Sequence, residues 1–478
     1  MLYLSFYFPP SRASGVYRAR ATANHLAARG WDVTACAAPL DFLRDVLGSL
    51  DTELASTVDP TVRVERPALH RFAWERDLRR YGRFRRTFPR AAQKLYQLSQ
   101  RLGFPEHYAS WGLAAVARGL RAHRRRRFDV VLATGNPFAS FGAAWLFHRL
   151  TGVPYVLDYR DSWTLDLFTN RPAFPAGHPA WRWERRVLSR ASGIVFVNEA
   201  LRDWHAERYP AAADRMLVVP NGWDPDLAPV STPPGPASET TGSRTGVPVG
   251  PTAVVGAPAD DSGQPGEPGG RTGPRFGYLG TVTRVQPLEE LVAAFRLARE
   301  HGDLADAELR IHGHLGFSKT SPTELTARLG LTGGTGIRYL GPVTKTEVHR
   351  VYAESDVLVF LAGGSRYVTS GKIFEYMASG RPIVSVHAPG IAAEEVLAEY
   401  PLWFTARSLD PAEVARSMVA AAKAARDLDP EQRSAAARHA DRYARDLMLA
   451  PLEARLRALT PVAGPSASAT GEDGRHGR

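Results

Sequence analysis

At 478 residues with 44% hydrophobic content, the chain is too long for one ordinary core and too apolar to be wholly disordered, so two packed domains are expected. Its 60 basic against 49 acidic residues give a formal charge of +11, which favours anionic partners such as phosphorylated substrates or acidic headgroups, although arginine-rich codon usage gives the same bias. A single cysteine, Cys36, excludes an intrachain disulfide and a cysteine-built zinc site, and no apolar run reaches the roughly 18 residues of a membrane span.

Leu2–Phe8 reads as a strand that Pro9 and Pro10 stop before any signal-peptide cleavage site, so a cytoplasmic location is expected. The loop to Gly15 leads into a helix with Val16, Ala19, Ala23, Leu26 and Ala27 on one face. Gly30 suits its C-cap, and Trp31–Ala37 resumes as a strand. This βαβ unit implies a parallel sheet. The region 42–127 is less regular. Its basic runs (Arg79 and Arg80, Arg85 and Arg86, Arg124 to Arg127) are interleaved with Phe72, Trp74, Tyr81, Phe84, Phe88 and Tyr96. That pattern fits either a solvated helical insertion or a basic amphipathic element in peripheral contact with the inner face of the plasma membrane. Strands follow at Asp129–Thr134, Tyr155–Asp158, Gly193–Val197 and Met216–Pro220, with a helix at Phe138–Leu150. Residues 1–225 thus read as one domain with a basic insertion.

Between 231 and 274 the composition shifts to Pro, Gly, Ser, Thr and Ala, as in a flexible linker. From Arg275 strands are expected at Phe276–Leu279, Leu309–Gly313, Ile337–Leu340, Val357–Leu361 and Ile383–Val386. Helices are expected at Leu288–Glu300, Pro322–Leu329, Thr346–Ala353, Lys372–Ala378, Ile391–Glu399, Pro411–Arg426 and Pro430–Ala458. Residues 275–458 form a second α/β domain and 459–478 a disordered tail. The fold class is therefore α/β, with two Rossmann-like doubly wound parallel sheets. Ligands in such folds sit at the carboxyl ends of the strands, in the cleft between the halves.

The most informative segment runs from Tyr367 to Val384. Thr369, Ser370 and Gly371 form a polar turn that opens a helix carrying Lys372, Ile373 and Glu375. N–H groups at a helix start suit phosphate oxygens, and the helix dipole adds favourable potential. Lys372 can place a point charge on the same diphosphate. Glu375 lies on the same helical face and can accept hydrogen bonds from sugar or ribose hydroxyls. Spacing alone fits an ordinary buried unit with a surface Lys–Glu pair equally well. No G-x-G-x-x-G follows the first strand, which counts against a dinucleotide oxidoreductase.

The segment resembles the donor-binding motif of the GT-B glycosyltransferases of family four, in the variant Ser/Thr-x-Lys-x-x-Glu. Other stretches are similar in order: Phe8-Pro9-Pro10 leading to Ser14-Gly15, Tyr155 to Trp163, Val219 to Gly222, Tyr278 to Thr281, Tyr339 to Val343, and Tyr352 to Val357. The resemblance spans nearly the whole chain outside the linker and the basic region. It implies a GT-B fold with a C-terminal helix returning to the N-domain. The implied activity moves a hexose-type sugar from a nucleotide-sugar donor to a glycan or lipid-linked acceptor, with retention and without a metal or cofactor. Lys372 and the Thr369–Gly371 backbone, with Ile373, would hold the diphosphate, and Glu375 the donor hydroxyls. Gly15 would admit the phosphate closely. Arg160 and Asp161 would line the acceptor side, with Asp158 a weaker candidate. The chain departs from the commoner pattern in two places. Tyr367 stands where a first glutamate is usual, and Thr281 and Gln286 stand where an arginine and a lysine are usual, leaving Arg284 as the nearby base. Two alternatives follow, a nucleotide-sugar epimerase of the same fold and a catalytically silent GT-B scaffold that binds glycan or membrane. Nucleic-acid binding is not expected, because the basic runs belong to no recognisable binding module.

Overall fold

The computed structural model describes residues 1–48, 50–227, 273–282, 285–314, 329–330, 335–343 and 345–460. Arg284, nearly all of the expected linker and of the Pro322–Leu329 helix, and the tail from 461 lie outside the described residues.

The first sheet comprises β1 (Leu2–Leu4), β2 (Thr34–Cys36), β3 (Arg63–Glu65), β4 (Val131–Gly135), β5 (Tyr155–Tyr159), β8 (Gly193–Phe196) and β9 (Met216–Val218). A two-residue antiparallel hairpin, β6 (Leu165–Asp166) and β7 (Arg171–Pro172), interrupts the β5–β8 connection. Every ladder in the sheet is parallel, in the order β3-β2-β1-β4-β5-β8-β9. The central strands are unbroken apolar runs because both faces are covered. One face packs on helices Ala109–Arg125 and Ala139–Thr151 through Trp111, Ala115, Phe141 and Phe147. The other packs on helix Val16–Ala28 through Ala19, Ala23 and Leu26.

The second sheet comprises β10 (Arg275–Leu279), β11 (Glu308–His312), β12 (Ile337–Gly341), β13 (Val357–Leu361), β14 (Ile383–Val386) and β15 (Trp403–Thr405), all parallel, ordered β12-β11-β10-β13-β14-β15. Both sheets reverse strand order once, between β1 and β4 in the first domain and between β10 and β13 in the second. These switch points are where the two crevices open.

Three expectations are corrected. β1 ends at Leu4 rather than Phe8, because Ser5 already leaves the ladder. β3 and β15 are short edge strands with half-exposed or exposed side chains, so neither has the apolar run that marks a buried strand. Pro430–Ala458 is no single helix: Pro430–Arg438 ends before a 3₁₀ turn at Asp441–Tyr443, and a new helix runs from Arg445 to Arg457. The break lets that last helix return to the N-domain, where Leu449, Leu452 and Leu456 join Ala19, Leu26 and Val33 in one buried cluster. Arg445 fixes the crossing through a buried bidentate pair with Asp224, at 3.1 and 3.1 Å. No helix of the described residues is long and apolar enough to cross a membrane.

Candidate active site

The second domain offers its switch point as follows. β10 ends in Leu279 and Gly280, and the helix Lys372–Ala378 lies against that end because Tyr376, fully buried, accepts from Leu279 N–H at 3.3 Å. This brings Lys372 over Gly280: a Cβ on Gly280 would fall 2.1 Å from Lys372 Nζ and 2.9 Å from the Tyr278 hydroxyl. The missing side chain of Gly280 is therefore what admits the ammonium group to the mouth of the crevice. One helical turn on, Glu375 accepts from the Tyr352 hydroxyl at 2.8 Å. Burial, with the neighbouring Glu375 carboxylate, pushes that phenol well above its ordinary pKa. Gln286 reaches across the switch point, its amide donating to the Leu361 carbonyl at 3.4 Å.

Across the cleft, the first domain contributes the loops after β1 and β5. The space left by the missing Cβ of Gly15 is filled by Arg160. A methyl there would lie 1.9 Å from Nη1 and 2.3 Å from Cζ of the guanidinium. Arg160 in turn donates to Asp161 at 2.8 Å, with its own side chain largely buried and Asp161 open to solvent. Tyr7, from the β1 loop, meets Tyr108 hydroxyl to hydroxyl at 3.3 Å. Burial raises the Tyr7 pKa, and Arg160, Glu106 and Asp161 all act on it electrostatically.

The two halves touch at the donor turn. Asn198 Nδ2 donates to the Thr369 hydroxyl at 3.3 Å, and Asn221 Nδ2 to the Thr369 carbonyl at 3.1 Å. Thr369 is thus buried in the domain contact. Its hydroxyl and carbonyl are engaged there, while Ser370 stays with the helix start, its hydroxyl accepting from Lys372 N–H at 3.4 Å. Of the residues singled out from the sequence, Lys372, Glu375, Thr369, Ser370, Gly371 and Ile373 stand on one turn and helix, and Gly15, Arg160 and Asp161 form a second group on the N-domain face.

Asp158 is corrected. It is fully buried and accepts Arg18 Nε at 3.0 Å and Arg18 Nη2 at 2.9 Å, with the Thr134 hydroxyl at 3.4 Å. Arg18 also donates to the Pro220 carbonyl at 3.1 Å. Asp158 is therefore a buried structural counter-ion, not an exposed group beside Arg160 and Asp161.

Sequence reasoning missed Glu106. Its carboxylate accepts the N–H groups of Phe138, at 2.9 Å, and Ala139, at 2.6 Å, capping the helix that follows β4 at the N-domain switch point. Burial pushes the carboxyl up to about 7 against the pull of those two bonds. Nothing in the local sequence signals this, since the carboxyl comes from the irregular insertion and its partners lie some thirty residues on.

Residues 15–222 match the model of the glycosyl transferase 4-like domain, and residues 273–423 that of the glycosyl transferases group 1 domain. No curated protein matches the chain. Among solved structures, Anabaena HepE in complex with UDP-glucose superposes with TM-score 0.59 at 14% identity, over 96% of this chain and 99% of that one. A glycosyltransferase from Rickettsia africae gives 0.59 at 14%, over 96% and 98%. Sucrose-phosphate synthase from Thermosynechococcus elongatus gives 0.57 at 14%, over 96% and 99%.

Proposed function

The chain is a GT-B-fold glycosyltransferase joining a glycosyl transferase 4-like domain to a group 1 domain, and from that premise we propose a retaining, metal-independent transfer of a hexose-type sugar from a nucleoside-diphosphate sugar to a lipid-linked glycan acceptor. One observation carries the reading: Lys372 Nζ rests against Gly280 at the second switch point, one turn from Glu375, on the helix whose opening turn the other domain holds through Asn198 and Asn221. Two cations, one from each domain, then flank the position of a diphosphate, and Arg284 is the nearby base in the sequence. In this reading the bond from the anomeric carbon to the donor phosphate breaks while the acceptor hydroxyl attacks the same face. The hydroxyl proton passes to the departing phosphate oxygen, and the nucleoside diphosphate leaves. Lys372 and Arg160 stabilise its charge, a preorganised electrostatic role. Glu375 and the Ser370–Ile373 backbone orient the donor, and Asp161 orients the acceptor. The epimerase and the silent scaffold remain outcomes of the test.

The membrane side of the proposal rests on the insertion. Helix Pro89–Leu102 continues a line begun at Phe88, and it exposes Leu95 at 60%, Leu98 at 48% and Leu102 at 78%, with Phe88 at 57%. These positions recur at seven-, three- and four-residue steps on one face, and Arg90, Lys94 and Arg101 border it along one side. An exposed apolar stripe beside a row of basic side chains is the pattern of a helix lying in an anionic lipid surface. On this reading the enzyme works in the cytoplasm, peripheral to the inner face of the plasma membrane.

The test is thermal stabilisation by UDP, GDP, ADP and dTDP and by their sugars, with magnesium or with EDTA, on the native chain and on Lys372→Ala. Stabilisation by one nucleotide series, equal in EDTA and lost in the variant, is the expected result. Stabilisation by none would favour the silent scaffold, and turnover of the nucleotide-sugar to its C2 epimer without acceptor would favour the epimerase.

A further inference from the structure

A cavity of about 420 Å³ lies beside the N-domain switch point. Its floor is the seam between helices Ala109–Arg125 and Ala139–Thr151, lined by Ala109, Gly112, Ala139, Gly142 and Ala143, where Gly112 lets the two helices close and Gly142 admits the Phe104 ring. Leu113, Leu146 and Trp145 form one wall. Phe104 and Trp183 form another, edge to face at 4.9 Å.

Most of the polar groups around it are engaged with one another or with the backbone. Tyr96, Gln100 and His107 bond one another, with Tyr96 to His107 Nδ1 at 2.8 Å and Gln100 to the same nitrogen at 2.9 Å. The Ser110 hydroxyl accepts from His70 N–H at 3.0 Å, and the Trp183 indole donates to the Gly103 carbonyl at 2.8 Å. Glu106 caps its helix. A sugar ring here would find its hydroxyls competing with bonds already made, at the cost that unsatisfied buried polar groups carry. A hydrocarbon needs none of them.

The cavity also has two ends. At one, Glu106 lines the cavity, and its near neighbour Tyr108 bonds Tyr7, on which Glu106, Arg160 and Asp161 all act electrostatically. At the other, His70, Tyr96 and Ser99 line a second and wider cavity of about 730 Å³ as well, which opens among Phe84, Leu95 and Arg85. That exit lies on the exposed apolar stripe.

We propose that this cavity holds the hydrocarbon chain of the acceptor lipid, with the polar head delivered past Glu106 and Tyr108 to Asp161 and the rest of the chain leaving towards the membrane along Leu95 and Phe84. The inference rests on the reading of glycosyl transfer to a lipid-linked acceptor and names the part of the acceptor that the first domain grips. Bulk phospholipid is the competing source of the same chemistry. The acceptor is favoured because the cavity reaches Glu106, two residues from the Tyr108 that bonds Tyr7 beside Arg160 and Asp161.

The test uses the full chain and farnesyl phosphate bearing a diazirine on its terminal isoprene, with isopentenyl phosphate as the short control and a phospholipid carrying the same diazirine in vesicles as the bulk-lipid arm. Crosslinks to Leu113, Trp145 and Leu146, stabilisation by farnesyl but not isopentenyl phosphate, and weaker labelling of those residues by the phospholipid are expected. Leu113 is 62% exposed, so Leu113→Asp is tolerated by the fold, and with an unchanged ligand-free melting temperature it should weaken farnesyl phosphate binding by about tenfold or more. Equal stabilisation by both phosphates, crosslinks outside the cavity, or equal labelling by the phospholipid would overturn the proposal. Nucleotide stabilisation, measured on the same samples, reports separately on the glycosyltransfer reading.

Discussion

The sharpest perturbation is one methyl group, Gly15→Ala. Gly15 has φ −78° and ψ −9°, a conformation that alanine adopts freely, so the backbone raises no objection and the loss of glycine entropy favours the variant by about 0.4–1 kcal/mol. The difficulty is local. The new Cβ would lie 1.9 Å from Arg160 Nη1, whereas ordinary contact begins at 3.4 Å, so the guanidinium must retreat by 3.4 minus 1.9, or 1.5 Å. The obstacle is the far end of a flexible side chain, which moves cheaply. That movement costs Arg160 its bond to Asp161 at 2.8 Å. Misplacement of a positioned group by about 1 Å can cost roughly a hundredfold in rate, equivalent to about 2.7 kcal/mol of transition-state stabilisation. We therefore expect kcat/KM, followed as nucleoside-diphosphate release in the presence of acceptor, to fall by about two orders of magnitude while the melting temperature stays within a few degrees. Arg160→Lys, which keeps the charge but loses the planar fork, should recover only part of the rate even beside Gly15. Full activity in Gly15→Ala would refute the placement of Arg160 in the site. A large drop in melting temperature would instead show that the methyl is opposed by the fold.

Further outcomes follow from the same geometry. Lys372→Ala should weaken nucleoside-diphosphate binding by about ten- to a hundredfold, the worth of one charge-assisted contact, as titration calorimetry would show. Asp158→Asn leaves the Arg18 guanidinium buried without its counter-ion and should cost about 3–5 kcal/mol of stability, read by chemical denaturation. For Glu106, the carboxyl is held up at about 7 from an ordinary 4.5. Its contribution is thus fully present below about pH 4.5 and is lost as pH rises through about 7, amounting to at most about 3 kcal/mol. Glu106→Gln should flatten stability across that window, and an unchanged slope would contradict the burial of the group. Leu95→Asp together with Leu98→Asp should abolish co-sedimentation with anionic vesicles without altering nucleotide binding.

The two sheets were legible because their strands are fully covered, and such strands advertise themselves as uninterrupted apolar runs, as in Val357–Leu361 and Ile383–Val386. The donor helix was legible to the residue, since a polar turn, seven helical positions and a Gly-Arg-Pro stop leave few other registers. The edge strands β3 and β15 were not, because one ladder and partial burial ask little of their side chains. Burial of Asp158 was likewise beyond reach. Its partner Arg18 stands 140 positions away, and no local pattern distinguishes a carboxylate beneath a site from one facing it. The break before Arg445 escaped because alanine-rich sequence on both sides keeps the helical period; the 3₁₀ turn at Asp441–Tyr443 appears only because Trp223 and Asp224 bind the chain there from the other domain.

The turn Val219 to Gly222 is tied at once to the centre of the first sheet and to Thr369 of the second domain. Asp158 fixes Arg18, and Arg18 holds the Pro220 carbonyl and, at 3.5 Å, Asn221 Oδ1. The other end of the Asn221 amide donates to the Thr369 carbonyl. An amide can serve both partners only in one orientation, with its oxygen towards the guanidinium and its nitrogen towards the carbonyl. The buried ion pair therefore sets the polarity of the group that grips the donor turn, and a relay of three side chains links the centre of the first sheet to the helix carrying Lys372. Immediately after Asn221, Gly222 allows the chain to pass the Tyr443 carbonyl, which a Cβ would approach to within 2.3 Å, so the closing contact and the return of the last helix depend on one turn. The N-domain holds the Thr369–Gly371 turn in place through Asn198 and Asn221, so the proposed diphosphate site is complete only when both domains are docked.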